Sequence, residues 1–111
     1  MQSFIYLCIK INVTMKIRNK ELLNKYVAKH ANVRTSVQHW INFVEEVYWK
    51  SHNELKLDFP STDYVGNGRY VFNIQGNNYR LVVIVVFIEG YMKIRFIGTH
   101  AEYDKIDCKT I

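Results

Sequence analysis

The chain has 111 residues, of which 49% are hydrophobic and 14% aromatic. That length allows one domain with a real core but not two, and the apolar content excludes a disordered protein. The net charge of +5 suggests a polyanionic or acidic partner. Cys8 and Cys108 are the only cysteines and the four histidines are scattered, so we expect neither a disulfide framework nor a zinc site, and a reducing, cytoplasmic compartment.

Residues 1–14 read MQSFIYLCIKINVT and precede a second methionine, Met15. Lys10 and Asn12 interrupt the apolar run, which is too short to span a bilayer and lacks the marks of a signal peptide. The segment is either an extra strand or an extension outside the domain. We favour the extension, because Met15 begins a self-contained pattern, and we expect one domain over residues 15–111 with no membrane partner.

Two helices are predicted next. Asn19 is a plausible N-cap, and apolar residues then recur at helical spacing to about residue 29. After a break at residues 30–32, the same spacing predicts a second helix over residues 33–48. The short connection favours an antiparallel helical hairpin. Trp40 and Trp49 are interpreted as core residues rather than as a stacking platform.

A short helical turn is predicted after this hairpin. Ser51 followed by Glu54 matches a capping box, so the turn should run through Leu57 and end at Pro60. The polar residues 61–68 read as a loop. From there the period is two, which predicts three strands at about residues 69–74, 79–88 and 91–97. Turns at residues 75–78 and 89–90 make these strands an antiparallel meander, and the chain an α+β domain.

The turns also predict the strand register. If residues 76–77 and 89–90 are two-residue loops, Asn73 lies opposite Arg80, and Ile84 lies between Arg69 and Arg95. One face then carries an apolar set able to receive the helices: Tyr70, Phe72, Ile74, Leu81, Val83, Val85, Phe87, Met92, Ile94 and Phe96. The other face carries the basic and amide side chains Arg69, Asn73, Arg80, Lys93 and Arg95. It is either a solvated face or, as we favour because it lacks acids, a polyanion-binding face.

The last strand leads into the most chemically loaded stretch of the chain, residues 98–107, GTHAEYDKID. A strand that stops at Gly98 would deliver these side chains to the edge of the sheet, where loops commonly carry binding and catalytic groups. Its candidates are His100, Glu102, Tyr103, Asp104 and Lys105.

The runs RYVFNIQGNNYRLVV at residues 69–83 and RFIGTHAEYDKID at residues 95–107 resemble the HigB family of type II toxins. The resemblance covers residues 15–111 and leaves residues 1–14 outside. It implies a RelE/ParE-like fold, with an N-terminal helical pair against a curved antiparallel sheet. It also implies an mRNA interferase, which contacts ribosomal RNA and cleaves messenger RNA on translating ribosomes. A cognate antitoxin would neutralise this enzyme.

The side chains suit metal-independent RNA cleavage, which needs no cofactor. The 2′-hydroxyl attacks the adjacent phosphorus, so a base, cations for the phosphorane and an acid for the leaving oxygen are required. Arg69 and Arg95 offer forked donors to phosphate oxygens, with Arg80, Asn73, Lys93 and Lys105 as further RNA contacts. Glu102 or Asp104 is a candidate base. His100 is a candidate acid, and Tyr103 is a candidate for stacking on a base.

Each assignment has a structural alternative. His100 would then cap the chain after Gly98, Asp104 would pair with Lys105 or an arginine, and Tyr103 would belong to the core. A second class of function also fits the same fold, either a gyrase poison or a toxin that docks on ribosomal RNA without cleaving it. The antitoxin would either cover the arginines with carboxylates or grip the helical hairpin and leave the sheet open.

Overall fold

The structure is a computed structural model that describes residues 14–111. The predicted N-terminal extension therefore lies almost wholly outside the described residues. The elements, in chain order, are β1 (Lys16–Arg18), α1 (Lys20–Lys29), a 3-10 turn (Ala31–Val33), α2 (Arg34–Val44), α3 (His52–Asp58), β2 (Asp63–Gly66), β3 (Arg69–Ile74), β4 (Tyr79–Val86), β5 (Tyr91–Thr99) and α4 (His100–Tyr103). This is an α+β domain, as predicted.

The five strands form one mixed sheet in the order β1-β5-β4-β3-β2. The predicted meander is its centre, with β3, β4 and β5 paired antiparallel. Two strands were not predicted. β1 pairs in parallel with β5, and β2 forms within the stretch that was interpreted as a polar loop. Three- and four-residue strands carry too little alternation to be distinguished from loops by periodicity.

The start of α1 differs from the prediction in its capping. Asn19 adopts a left-handed conformation, with φ of +67°, and makes no side-chain cap. Its Nδ2 instead donates to the Ile94 oxygen at 2.9 Å, which ties the beginning of the helix to β5. Asparagine tolerates this conformation better than most residues. The N-cap prediction was therefore wrong in its mechanism, although the helix begins at the next residue.

The second and third helices follow their sequence patterns more closely. α2 ends at Val44, four residues before the predicted end, and α3 spans nearly the predicted turn. Ser51 caps α3 by accepting from the Glu54 N–H at 3.4 Å, while the Glu54 carboxylate reaches the Lys50 N–H at 2.8 Å. Ser51 and Glu54 therefore cap the helix at its predicted start. The Glu54 carboxylate, however, accepts from the N–H of Lys50, one residue before the N–H of the N-cap that a capping box usually uses.

The core lies between the helices and one face of the sheet. Trp40 and Trp49 are both buried, at 4% and 2% exposure, which confirms that they are core residues. The sheet contributes Tyr70, Phe72, Ile74, Tyr79, Leu81, Val83, Val85, Met92, Ile94 and Ile97 to this core. Phe87 packs against its edge, but Phe96 is not part of it. The prediction for Phe96 was therefore wrong.

The register explains this exception. Asn73 pairs with Arg80 and Arg69 pairs with Ile84, as predicted. Ile84, however, pairs with Lys93 and not with Arg95, because β4 ends at Val86 and β5 begins at Tyr91, so their connection is longer than two residues. A register shift between Val82 and Val83 then lets β5 skip Arg95, which has no opposite residue. After this bulge the alternation is reversed, so Phe96 leaves the core face and Ile97 takes its place.

Candidate active site

The sheet face opposite the helices, called here the outer face, carries the predicted basic residues. It is the set of side chains that alternates with the core residues along β3, β4 and β5: Arg69, Val71, Asn73, Arg80, Val82, Ile84, Val86, Tyr91, Lys93, Arg95 and Phe96. Acidic side chains are absent from these strand positions. The outer face is therefore the natural place to look for an anion site.

Arg69 and Arg95 converge on one point of this face. Arg69 donates from Nε at 3.1 Å and from Nη2 at 2.8 Å to the main-chain oxygen of Ile111. Arg95 donates from Nε at 3.0 Å to the same oxygen. Two guanidinium groups on different strands are thus held around one acceptor, which is the geometry that a phosphate oxygen requires. The predicted arginine pair is brought together, although not through the predicted register.

Arg80 and Asn73 lie further along the outer face, where they are paired across β3 and β4. The Arg80 Nη1 donates to the Asn77 oxygen at 2.9 Å and to the Tyr79 oxygen at 3.3 Å. The Asn73 Nδ2 donates to the Ser61 oxygen at 3.4 Å. Both side chains are half-buried and partly committed to neighbouring main chain, so they extend the polar surface away from the arginine pair.

The segment after Gly98 is a helical turn and not a loop. Thr99 is the N-cap of α4, accepting from the Glu102 N–H at 3.2 Å, while Glu102 Oε1 accepts from the Thr99 N–H at 2.8 Å. This is a complete capping box. The threonine and glutamate at this spacing were a sequence signal that the prediction overlooked. Gly98 is required here, because a Cβ would lie 2.6 Å from the Phe96 ring and 2.8 Å from Glu102 Oε1.

Glu102 is the candidate base whose carboxylate already accepts hydrogen bonds from neighbouring groups. Besides the Thr99 N–H, its Oε1 accepts from the Tyr26 hydroxyl of α1 at 3.2 Å. The Thr99 main-chain hydrogen bond is the largest cause that lowers the pKa of Glu102, and the Tyr26 hydrogen bond adds to it. Burial and the charge of Glu102 in turn raise the pKa of Tyr26 to about 12. The carboxylate therefore joins α4 to α1, and its role as a base stays a prediction.

His100 and Asp104 form a separate pair on the exposed side of α4. The His100 Nδ1 lies 3.4 Å from Asp104 Oδ1, one helical turn away, with side-chain exposures of 57% and 64%. An exposed pair of this kind contributes little to stability. Both side chains remain accessible in this arrangement, and the Asp104 carboxylate can orient the His100 imidazole. The alternative in which Asp104 pairs with Lys105 or an arginine is not what the structure shows.

Tyr103 points its hydroxyl toward the end of the chain. Burial is the largest cause that raises its pKa to about 12, followed by a side-chain hydrogen bond with Cys108. The charge of Asp63 also raises this pKa, whereas Arg80 lowers it. Tyr103 therefore keeps its proton at neutral pH and lies in the neighbourhood of the Arg80 end of the outer face. It is half-buried, which is between the two predicted alternatives of core and stacking residue.

The remaining predicted RNA contacts, Lys93 and Lys105, are exposed. Lys93 lies beside Ile84 on the outer face, and Lys105 follows α4. Within residues 14–111, no cluster of three His, Cys, Asp or Glu side chains has the arrangement needed to hold a metal ion. No helix in the same described range is long and apolar enough to cross a membrane.

The capping box leads to a pH-dependent prediction. Because the folded-state pKa of Glu102 is lowered, its ionisation stabilises the fold above the ordinary value of 4.5, and this contribution is lost as pH falls through the lowered pKa. We expect Glu102→Gln to lower the melting temperature slightly at pH 7, because the amide can still accept from the Thr99 N–H but lacks the charge that strengthens this hydrogen bond. The difference should vanish in acid. Thermal melts of both chains across pH will measure it, with Glu89→Gln in an exposed turn as the control. A constant difference at all pH values would contradict this assignment.

The sequence analysis missed one residue of the site entirely. Ile111 contributes only a main-chain oxygen, which any residue has, so no side-chain pattern marks it. The closeness of Cys108 to Tyr103 was missed for a related reason, because these positions make no recognised spacing. Both contacts depend on how residues 104–111 turn back over the sheet.

Comparisons with known proteins identify the family of the chain. A family model described as the HigB toxin, a RelE-like toxic component of a toxin-antitoxin system, matches residues 33–106. The mRNA interferase toxin HigB of Escherichia coli strain K12 is 33% identical over 93 residues, which cover 81% of this chain and 88% of that protein. The mRNA interferase HigB of Escherichia coli O6:H1 is 27% identical over 94 residues, covering 83% and 91%. The resemblance read from the sequence is thereby confirmed, and the chain belongs to the HigB family of toxins.

Proposed function

We propose that this protein is the toxin of a type II toxin–antitoxin system and acts as an mRNA interferase, an endoribonuclease that inhibits translation. The observation that carries the proposal is the convergence of Arg69 and Arg95 on one acceptor oxygen. The family match and relatives named mRNA interferase support it. We further propose a RelE/ParE-like arrangement of α1 and α2 as a helical pair against the sheet, within a toxin domain over residues 15–111.

In the proposed mechanism, the arginine pair holds the phosphate at the cleavage point. The attack of the 2′-hydroxyl on phosphorus puts additional negative charge on the non-bridging oxygens, and two fixed guanidinium groups stabilise this charge more than they stabilise the ground state. The arginines cannot lose their charge near neutral pH, so they act as electrostatic stabilisers and not as proton carriers.

Proton transfer is assigned to the exposed groups on α4. His100 is proposed as the acid for the leaving 5′-oxygen, with Asp104 orienting its ring. The base is Glu102 or Asp104, and Asp104 can serve only if it releases His100, because the base and the acid act on opposite sides of the phosphorus. Tyr103, which keeps its proton, is proposed as a contact to the nucleotide. Arg80, Asn73, Lys93 and Lys105 would follow the RNA strand on either side.

The partners follow from the same assignment. The substrate is proposed to be messenger RNA on the ribosome, with the remaining cations of the outer face meeting ribosomal RNA. A cognate antitoxin protein is proposed to neutralise the toxin. An antitoxin that covers the arginines with carboxylates would associate faster at low salt, whereas one that grips the helices would show weak salt dependence.

Primer extension tests the proposed function. A message translated in a bacterial extract with the purified toxin is expected to show new 5′ ends within translated codons. The same message should remain intact when initiation is blocked, because cleavage is proposed to require translation. Translation arrest without new RNA ends would contradict cleavage and indicate a blocking toxin. Double-stranded DNA breaks in cells that express the protein would instead indicate a gyrase poison.

A further inference from the structure

Residues 104–111, called here the arm, cross the outer face after α4. Their last main-chain oxygen, at Ile111, is the one that receives all three hydrogen bonds from Arg69 and Arg95. The two arginines lie 42 and 16 positions away from Ile111 in sequence, so this contact is tertiary. The best anion site on the outer face is therefore occupied by the protein's own main chain.

Side chains outside the arginine pair also hold the arm. The Asn67 Nδ2 donates to the Lys109 oxygen at 3.1 Å, and the Cys108 side chain lies close to the Tyr103 hydroxyl. Within the arm, the Lys109 N–H donates to Asp107 Oδ1 at 3.0 Å. The arm is thus fixed at Lys109 and Ile111, and a hydrogen bond within it shapes the turn between residues 107 and 109.

The arm also explains an unusual pattern of burial on the outer face. Val71 and Val82 lie opposite each other there, at 2% and 0% exposure, yet they belong to no part of the helix-side core. Side chains on a solvated sheet face would be more exposed. The arm is anchored on the same face, where its Ile106, Cys108 and Ile111 side chains are half-buried, and Phe96 lies opposite Val82.

We propose that the arm is an autoinhibitory strap, which fills the phosphate position of the arginine pair and must leave before RNA can enter. The inference rests on the proposed function, since it assigns Arg69 and Arg95 to the phosphate. In the structure a single Ile111 oxygen receives all three hydrogen bonds, whereas a phosphodiester offers two non-bridging oxygens that the forked donors of both arginines can bind at once. An incoming phosphodiester therefore replaces the strap at the arginines, while the strap closes the site when RNA is absent.

This arrangement lowers the apparent affinity for RNA by the fraction of molecules in which the arm is open. Loosening the arm without changing charge should therefore tighten RNA binding. The double variant Asn67→Gly with Ile111→Gly removes one hydrogen-bonding anchor and one half-buried side chain. Glycine at position 67 suits its left-handed φ of +54°, so no backbone strain is introduced. The matched control is Asn77→Gly with Ile88→Gly, at exposed positions in two turns.

The probe is a short single-stranded RNA with 2′-O-methyl groups, which cannot be cleaved, and its dissociation constant is measured by fluorescence anisotropy with the full chain. We expect the double variant to bind about fivefold or more tightly than the parent, and the control to bind as the parent does. In the parent, the amide NMR signals of residues 109–111 should shift toward random-coil positions when RNA is added.

If a folded double variant bound the RNA as weakly as the parent or more weakly, the proposal that the arm is an autoinhibitory strap would be wrong. If the double variant does not fold, the Asn67→Gly single variant decides in the same way. RNA binding that leaves the signals of residues 109–111 unmoved would also overturn it. Absence of RNA binding by every variant would instead count against the arginine pair as an RNA site, and so against the proposed function itself.

Discussion

Replacing Arg95 with alanine is expected to abolish RNA cleavage and growth arrest while the protein remains folded. Removing one preorganised donor from a charge-stabilising site typically lowers kcat by about 10²–10³-fold. Arg95 is half-buried on the outer face and is not one of the residues of the helix-side core. We therefore expect a stability change within roughly 0.5 kcal/mol, as for other surface substitutions. Cleavage of a translated message, growth on induction and a thermal melt give the three readouts.

Two further variants separate charge from geometry. Arg95→Lys keeps the charge but loses the forked donors, so it should recover only a small part of the activity. Lys50→Ala removes an exposed cation away from the outer face and should leave cleavage unchanged. An Arg95→Ala protein that is folded and still cleaves at the parent's rate would remove Arg95 from the site.

Phe72→Ala is expected to abolish RNA cleavage too, but because the protein unfolds and not because the site is changed. Phe72 is 1% exposed and meets Trp40 and Phe59 edge-to-face, with ring centroids 5.3 and 5.1 Å apart. Changing a buried phenylalanine to alanine costs about 3–5 kcal/mol, because transfer free energy is lost and a cavity remains. The whole stability of a small domain is only about 5–15 kcal/mol. Urea unfolding should show a midpoint far below the parent's.

Phe43→Ala is the matched control for this truncation. Phe43 also packs edge-to-face on Phe59, at 5.2 Å, but it is 43% exposed. Its loss should cost about 1 kcal/mol or less, since water already reaches much of the ring. If the two variants unfolded at the same urea concentration, the placement of Phe72 at the centre of the core would be wrong.

The register of β4 and β5 shows which parts of the site could be predicted from the sequence. The predicted two-residue turn was too short, but an error of two positions keeps every side chain on its own face, because strands have a period of two. Lys93 therefore stayed on the outer face. The bulge at Arg95 changes the register by one position and moved Phe96 out of the core. A bulge depends on the fit between two strands, so a single strand's sequence gives little sign of it.

The same distinction applies to the groups around the arginine pair. The basic face was predictable because it follows from local alternation, and the capping box at Thr99 and Glu102 was readable in principle from its spacing. The contact of Arg69 and Arg95 with Ile111 was not readable, because it joins distant residues through a main-chain atom. Which titratable groups face the phosphate is likewise a tertiary property, since Glu102 turns toward Tyr26 while His100 pairs with Asp104.

The parallel pairing of β1 with β5 has a consequence for the time at which the toxin matures. Lys16 pairs with Tyr91, so β1 leaves the ribosome early but has no partner until nearly the whole domain has been synthesised. At about 5–20 residues per second, β1 waits several seconds in the nascent chain. Arg95 emerges later still than Tyr91, on the same partner strand. The sheet and its arginine pair therefore cannot form until nearly the whole chain has been synthesised.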